Sequence, residues 1–268
     1  MPARERMAEA DLIIVAEADD PFPHAFAAYA ADQGAAAERL TAAELACLLS
    51  ISVADGRATL SPTRPLLLRP LRGPGPASEE EDRFVWSETF AAVWSLAALS
   101  PCPVVNRPDE WGWVSRSVFS GALTERRSRA SVAAPEVFWQ GHAPAEAEAM
   151  LHQDLATWLT VDSFDPTPAS ARQVRSRRFP ACRGWEQVIV VGRQAWRVTS
   201  APIGAWSIEE ESIAATAALG LSFATVSWGL PEDGGPPVLG RINPHPSLLE
   251  CRPVWADVRR ALLRTLLP

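Results

Sequence analysis

The residues of this chain best suited to chemistry are scattered, and their spacing excludes most familiar constellations. The four histidines, His24, His142, His152 and His245, are too far apart to form a helical metal pair. The four cysteines, Cys47, Cys102, Cys182 and Cys251, contain no Cys-x-x-Cys pair. They read as the half-buried thiols of a reduced, cytoplasmic protein, not as a disulfide framework or a zinc site. His245 lies within the turn Asn243-Pro244-His245-Pro246 and is the best placed of the histidines. With Cys102 and Cys182 it is a candidate base or nucleophile, although no spacing assembles a triad.

Basic chemistry is restricted in a sharper way. The chain has 25 basic residues and no lysine, so every one of them is arginine. A lysine Schiff base is therefore impossible, and any anion must be neutralised by a planar, permanently charged guanidinium. Arg172, Arg175, Arg177 and Arg178 form a basic cluster that would grip an anionic peptide or a nucleotide, or would simply be a solvated loop. Eleven tryptophans stand against one tyrosine. Most read as core, but Trp111 and Trp113 flank Gly112 just after an Asn-Arg-Pro turn, where they could plug a cleft or form a docking surface.

The net charge of −7 argues against nucleic acid as a partner. No apolar run reaches the ~18 residues of a membrane span. The mixed charges of Met1 to Ala10 do not form a secretory signal.

The elements that must position these residues follow from local signals. Asp11 to Asp19 contains a buried strand, and Pro21-Phe-Pro-His24 opens a helix to about Asp32. Thr41 with Glu44 forms a capping box for a helix to Leu49. Strands over Ile51–Ala54 and Ala58–Leu60 are joined by Asp55-Gly56, and another covers Pro65–Arg69. A helix is predicted over Asp82–Leu99, with Phe84, Val85, Thr89, Val93, Trp94 and Leu96 at its apolar positions. A short strand over Pro101–Val105 ends in Asn106-Arg107-Pro108. Further on, Trp185–Gly192 and Ala195–Arg197 form a strand pair, and Glu209-Glu-Glu-Ser212 starts a helix. Leu221–Leu230 and Val238–Ile242 are strands around the turn Pro231–Pro237, and Val254–Leu267 is a helix docked on the first domain.

The stretch from Gly220 to Ser247, helix end, Gly-Leu, strand, turn, strand and Asn-Pro-x-Pro, resembles the end of the ATP-grasp ligase fold in its glutathione-synthetase and peptide-macrocyclase branch. Leu68-Arg69-Pro70 and Val105-Asn106-Arg107-Pro108 resemble strand ends of the preceding domain, in the same order. Val132 to Trp139 resembles the strand entering the ATP-binding lobe, and Trp185 to Arg197 a later strand-turn-strand. The fold class implied is α/β, with an N-terminal open α/β (pre-ATP-grasp-like) domain over 1–115 and a trimmed ATP-grasp-like α+β domain over 116–268.

The resemblance also shows what has changed. In the family an acidic residue ends the first strand of that stretch, and a glutamate stands two residues before the asparagine. Both hold the magnesium that bridges the ATP phosphates. Here these places read Ser227 and Arg241, and a guanidinium repels a metal ion. Ser115-Arg116 takes the place of a nucleotide-binding lysine, and Gln187 that of an arginine that contacts phosphate or substrate. The candidate lysine strand, Ala156–Val161, runs into Asp162. No glycine flap follows, since Asp165 to Ser176 lack glycine altogether.

Three expectations result. The first is a degenerate ATP-grasp-like, non-catalytic subunit with no cofactor and no metal. It would bind a protein or peptide partner through Trp111, Trp113, Arg175, Arg177 and Arg178, in a peptide or natural-product modification pathway, and would be a possible homodimer. The second is an active ATP-dependent carboxylate–amine ligase in which Arg116 and Arg197 bind phosphates, while Asn243 with Glu232 or Asp233 holds magnesium. The third is unrelated chemistry at His245, Cys102 or Cys182.

Overall fold

The computed structural model describes residues 9–55, 57–69, 71, 73, 78–108, 136–140, 150–154, 160–161, 173–178, 182–198 and 206–268. Trp111, Trp113, Ser115, Arg116, His142, Ala156–Trp158 and Asp162–Arg172 lie outside these residues. Backbone proximity divides the chain into two units, Met1–Val114 with Ser247–Pro268, and Ser115–Pro246.

The first unit is built on a parallel sheet in the order β2-β1-β5-β6, with β1 Leu12–Val15, β2 Ala37–Leu40, β5 Leu66–Leu68 and β6 Val104–Val105. Every residue of β1 is buried, as a central parallel strand covered on both faces requires. Ile13 and Val15 share a core with Leu45 of α2 (Ala42–Leu48) and with Val93, Leu96 and Ala97 of α3 (Glu80–Leu99). Leu12 and Ile14, on the other face by strand alternation, are just as buried.

Local signals account for most boundaries. Asp20 caps α1 (Pro21–Asp32), accepting a hydrogen bond from Phe22 N. Thr41 and Glu44 form the expected capping box. Asp55 turns at φ 51° between β3 (Ser50–Ala54) and β4 (Arg57–Ser61).

Three departures have physical reasons. β2, Ala-Glu-Arg-Leu, has no apolar run because it is an edge strand with only Leu40 buried. Phe84 and Val85 were expected to face the core, but they are exposed on the first turns of α3, and the buried stripe begins at Val93. Arg175, Arg177 and Arg178, which could equally have been a solvated loop, lie on a strand of the second unit, described below.

Two arginines hold the first unit together. Arg69 is buried, pairs with Asp20 at 2.8 Å and lies 4.5 Å over the Phe22 ring. Arg107 closes the end of α3: its Nη1 donates to the carbonyls of Ala97, Ala98 and Ser100, and its Nη2 to that of Cys102. The C-terminal segment completes the unit with α5 (Leu248–Cys251), a 3-10 turn and α6 (Trp255–Leu266). In α6, Val258, Ala261, Leu262 and Leu266 recur at helical spacing and are buried. Trp255 meets Phe22 edge-on at 5.1 Å, and Arg259 lies over Tyr29.

The second unit contains two antiparallel sheets. One has the order β7-β10-β8-β9, from Glu136–Gln140, Gln173–Arg178, Met150–Asp154 and Thr160–Val161. Arg175, Arg177 and Arg178 therefore sit on an interior strand, paired on both sides. The other sheet has the order β12-β11-β13-β14, from Gln194–Arg197, Cys182–Val191, Phe223–Pro231 and Val238–Asn243. Helix α4 (Ile208–Ala218) packs on β11, β12 and β13.

Candidate functional site

Strand register decides which side chains of the β12-β11-β13-β14 sheet can act together. Side chains alternate across a sheet, and directly opposed residues share a face. Gln187, Ser227 and Arg241 are paired in one row across β11, β13 and β14. The next row on that face is Ile189, Thr225 and Asn243. With strands ~4.8 Å apart and same-face residues ~6.7 Å apart along a strand, these polar groups fall within about 12 Å of one another.

The opposite face belongs to α4. Val226, Trp228 and Ile242 are buried there, and Trp228 Nε1 donates to Ser212 Oγ on α4 at 2.8 Å. Arg197 pairs in register with Val188 and bonds Glu186 at 3.2 Å, with Glu209 of α4 at 4.0 Å. Glu186 is fully buried. Arg197 and Asn243, both candidate nucleotide contacts, are thus on opposite faces of one sheet, and the fold does not bring them together.

A β-bulge shapes the Asn243 face. The register slips between Ser227 and Trp228, and Gly240 is the unpaired residue. The ring of Trp185 lies over it: a Cβ on Gly240 would overlap Trp185 Cζ3, with Cη2 at 3.0 Å and the Ser227 carbonyl at 3.2 Å. Gly229 is confined in the same way, since a Cβ there would stand 2.7 Å from Cys182 Sγ and 3.4 Å from Trp185. Only glycine leaves room for this ring.

Gly240→Ala is therefore expected to displace Trp185 and cost about 1–3 kcal/mol. A double-mutant cycle with Trp185→Ala in urea denaturation checks this. The two losses should fall well short of adding, because both remove the same contact.

No carboxylate lies on this face among the described residues. The two that were candidate magnesium partners of Asn243 are in the wrong place. Glu232 and Asp233 belong to the β13–β14 turn, whereas Asn243 is level with Thr225. Seven residues of strand separate Thr225 from Glu232, about 23 Å at strand rise. Magnesium needs its oxygens at about 2 Å, so this set cannot hold one ion. Asp233 instead accepts a hydrogen bond from Gly235 N within its turn. Among the described residues no group of three or more His, Cys, Asp or Glu could hold a metal ion.

The remaining candidates show structural roles. His245 is buried, and its backbone N–H donates to Asn243 Oδ1 at 3.1 Å, fixing the turn after β14. Burial and then the Glu232 carboxylate push the Cys182 thiol up, the wrong direction for a nucleophile. Cys102 belongs to the first unit, where its backbone N–H donates to Ser100 Oγ. The signals for the Gln187–Ser227–Arg241 row were present in the sequence one strand at a time. Only the register puts them side by side.

No protein-family model matches the chain, and no curated protein matches it in sequence. Its fold does match solved structures over nearly the whole of both chains. The ATP-grasp ligase PsnB, solved with a minimal precursor, superposes with a TM-score of 0.66 at 13% identity, covering 96% of this chain and 98% of PsnB. A RiPP-associated ATP-grasp ligase from Chryseobacterium gregarium, in complex with ADP and a leader and core peptide, gives 0.64 at 10% identity, covering 96% of each chain. The macrocyclase MdnC from Microcystis aeruginosa MRC, bound with the precursor peptide MdnA, gives 0.61 at 12%, covering 96% and 99%. The chain has the ATP-grasp ligase fold.

Proposed function

We propose that this chain is a non-catalytic ATP-grasp-fold protein that binds a peptide or protein partner in a peptide-modification pathway. One observation carries the reading. The sheet face bearing Asn243 presents Gln187, Ser227 and Arg241 in a single row and, among the described residues, no carboxylate. Phosphoryl transfer is mostly positioning and charge neutralisation by metal ions, so a floor that replaces the metal's ligands with a fixed cation loses the chemistry first.

The peptide part of the proposal draws on the neighbours. PsnB, the Chryseobacterium ligase and MdnC were each solved with a precursor or leader peptide, so a fold shared over their full length supports a groove of that kind here. Fold alone does not assign the partner. Arg175, Arg177 and Arg178 on β10, with Trp111 and Trp113, are the contacts we assign to it. The competing ligase reading needs Arg197 and Asn243 on one side of the sheet, and magnesium shared by Asn243 with Glu232 or Asp233. The register opposes both.

The test is titration of ATP into the purified protein with and without magnesium, together with thermal shift and phosphate release. The expected result is no gain in affinity or unfolding temperature on adding magnesium, and no turnover. A ligand specific for the native state would raise apparent stability by RT ln(1 + [L]/Kd), so tight magnesium–ATP binding could not escape notice. Magnesium-dependent micromolar binding, or turnover, would overturn the proposal.

A further inference from the structure

Arg241 is half-buried, and its guanidinium makes no hydrogen bond or ion pair among the described residues. A charge withdrawn from water is normally paired, because its desolvation is otherwise uncompensated. Its in-register neighbours on the sheet, among the described residues, are neutral hydrogen-bonding groups. Ser227 stands directly opposite it, and Gln187 directly opposite Ser227. One row on, Thr225 is 1% exposed, and its Oγ1 has no hydrogen-bond partner. A buried hydroxyl without a partner is uncommon enough to need an explanation. Here it lies on the same face as the unpaired guanidinium and two polar side chains. One guest could satisfy all of them: an oxyanion, which accepts hydrogen bonds at several oxygens and carries the missing charge.

We infer that the Gln187–Ser227–Arg241 row, with Thr225 beside it, is a metal-independent oxyanion site for a phosphate or carboxylate group. The inference rests on the non-catalytic reading above and adds to it the class of ligand that the altered floor takes. The guanidinium fork matches either oxyanion in bidentate geometry. It supplies permanently the positive charge that a magnesium ion would otherwise bring, and by repulsion it keeps such an ion away. Ser227, Thr225 and Gln187 add neutral donors that bind an anion without discharging it.

The experiment is calorimetric titration of the full chain in EDTA with inorganic pyrophosphate and, separately, with glutarate. These two arms distinguish a phosphate from a carboxylate ligand. At least one should bind, with affinity unchanged when magnesium replaces EDTA. Arg241→Gln should weaken binding at least ~10-fold, because it removes the only charge in the row while keeping a hydrogen-bonding head. Arg241→Lys should fall between the two, since it restores charge but not the fork. Arg241→Glu should abolish binding in EDTA and recover part of it with magnesium, having rebuilt a carboxylate beside Asn243. Circular dichroism of each variant confirms the fold, and the half-exposed position favours tolerance. If neither probe binds, or if Arg241→Gln binds as tightly as the parent, the oxyanion site is wrong while the non-catalytic reading stands. If binding requires magnesium, both fall.

Discussion

Glu186→Ala is expected to destabilise the Ser115–Pro246 unit by about 3–5 kcal/mol, the usual cost of removing one partner of a buried ion pair. Glu186 has no exposed side-chain surface, and Arg197 is 23% exposed and 3.2 Å away. Without Glu186 the described carboxylate still near the guanidinium is Glu209, but at 4.0 Å and 38% exposed, a weaker and better-screened partner. Replacing both members with Met should cost far less than the single change, since an apolar pair leaves no stranded charge. Urea denaturation of the two singles and the double measures the coupling, and additive losses would show that the pair does not act as a unit. The same variants bear on function. A phosphate-binding arginine would lose ligand affinity on substitution while stability changed little. Arg197→Met should do the reverse, because its side chain serves the α4 face.

That contrast also shows where sequence reading stops. Caps and tight turns are local, and Thr41 with Glu44, Asp20 before Pro21, and the turn at Asp55 all form as their residue types require. Which face of a sheet a residue occupies is not local. Arg197 and Asn243 are both polar residues near strand ends, and only the pairing of β11 with β12 and β13, and of β13 with β14, puts them on opposite sides. Gly240 adds one residue to β14, which reverses the alternation that simple counting from Leu239 would give. The arginines of β10 misled for a different reason. Charged residues usually mark solvated segments, yet backbone pairing on both sides holds Gln173–Arg178 in the middle of a sheet. Helix α3 misled in the opposite sense, for Phe84 and Val85 fit its apolar period but lie beyond the core that starts at Val93.

The composition that removes lysine from every candidate site makes one further measurement unusually clean. Between pH 9 and 12 most proteins titrate many lysines, but this chain has none, and it has one tyrosine. Arginine stays protonated throughout. Alkaline stability therefore reports largely on the thiols that burial shifts, Cys251 and Cys182. Cys251 on α5 is fully buried, and burial, then the Glu250 carboxylate, push its thiol from 9.0 up to about 12, with Arg69 pulling the other way. The folded chain then holds a proton that the unfolded chain releases above pH 9. A raised folded pKa contributes stability that is complete below the unfolded value and is lost as pH climbs through the folded one. Cys251 should thus remove about 1.4 kcal/mol of stability per pH unit across that window. Cys182, also pushed up by burial and by Glu232, acts in the same direction in the other unit. Urea midpoints from pH 8 to 11 should fall steeply in the parent and clearly less in Cys251→Ala, whose small cavity lowers stability equally at every pH. An unchanged slope in that variant would mean that the thiol at α5 reaches water before the unit unfolds, and that the Arg69–Asp20–Phe22 cluster beside it opens at alkaline pH.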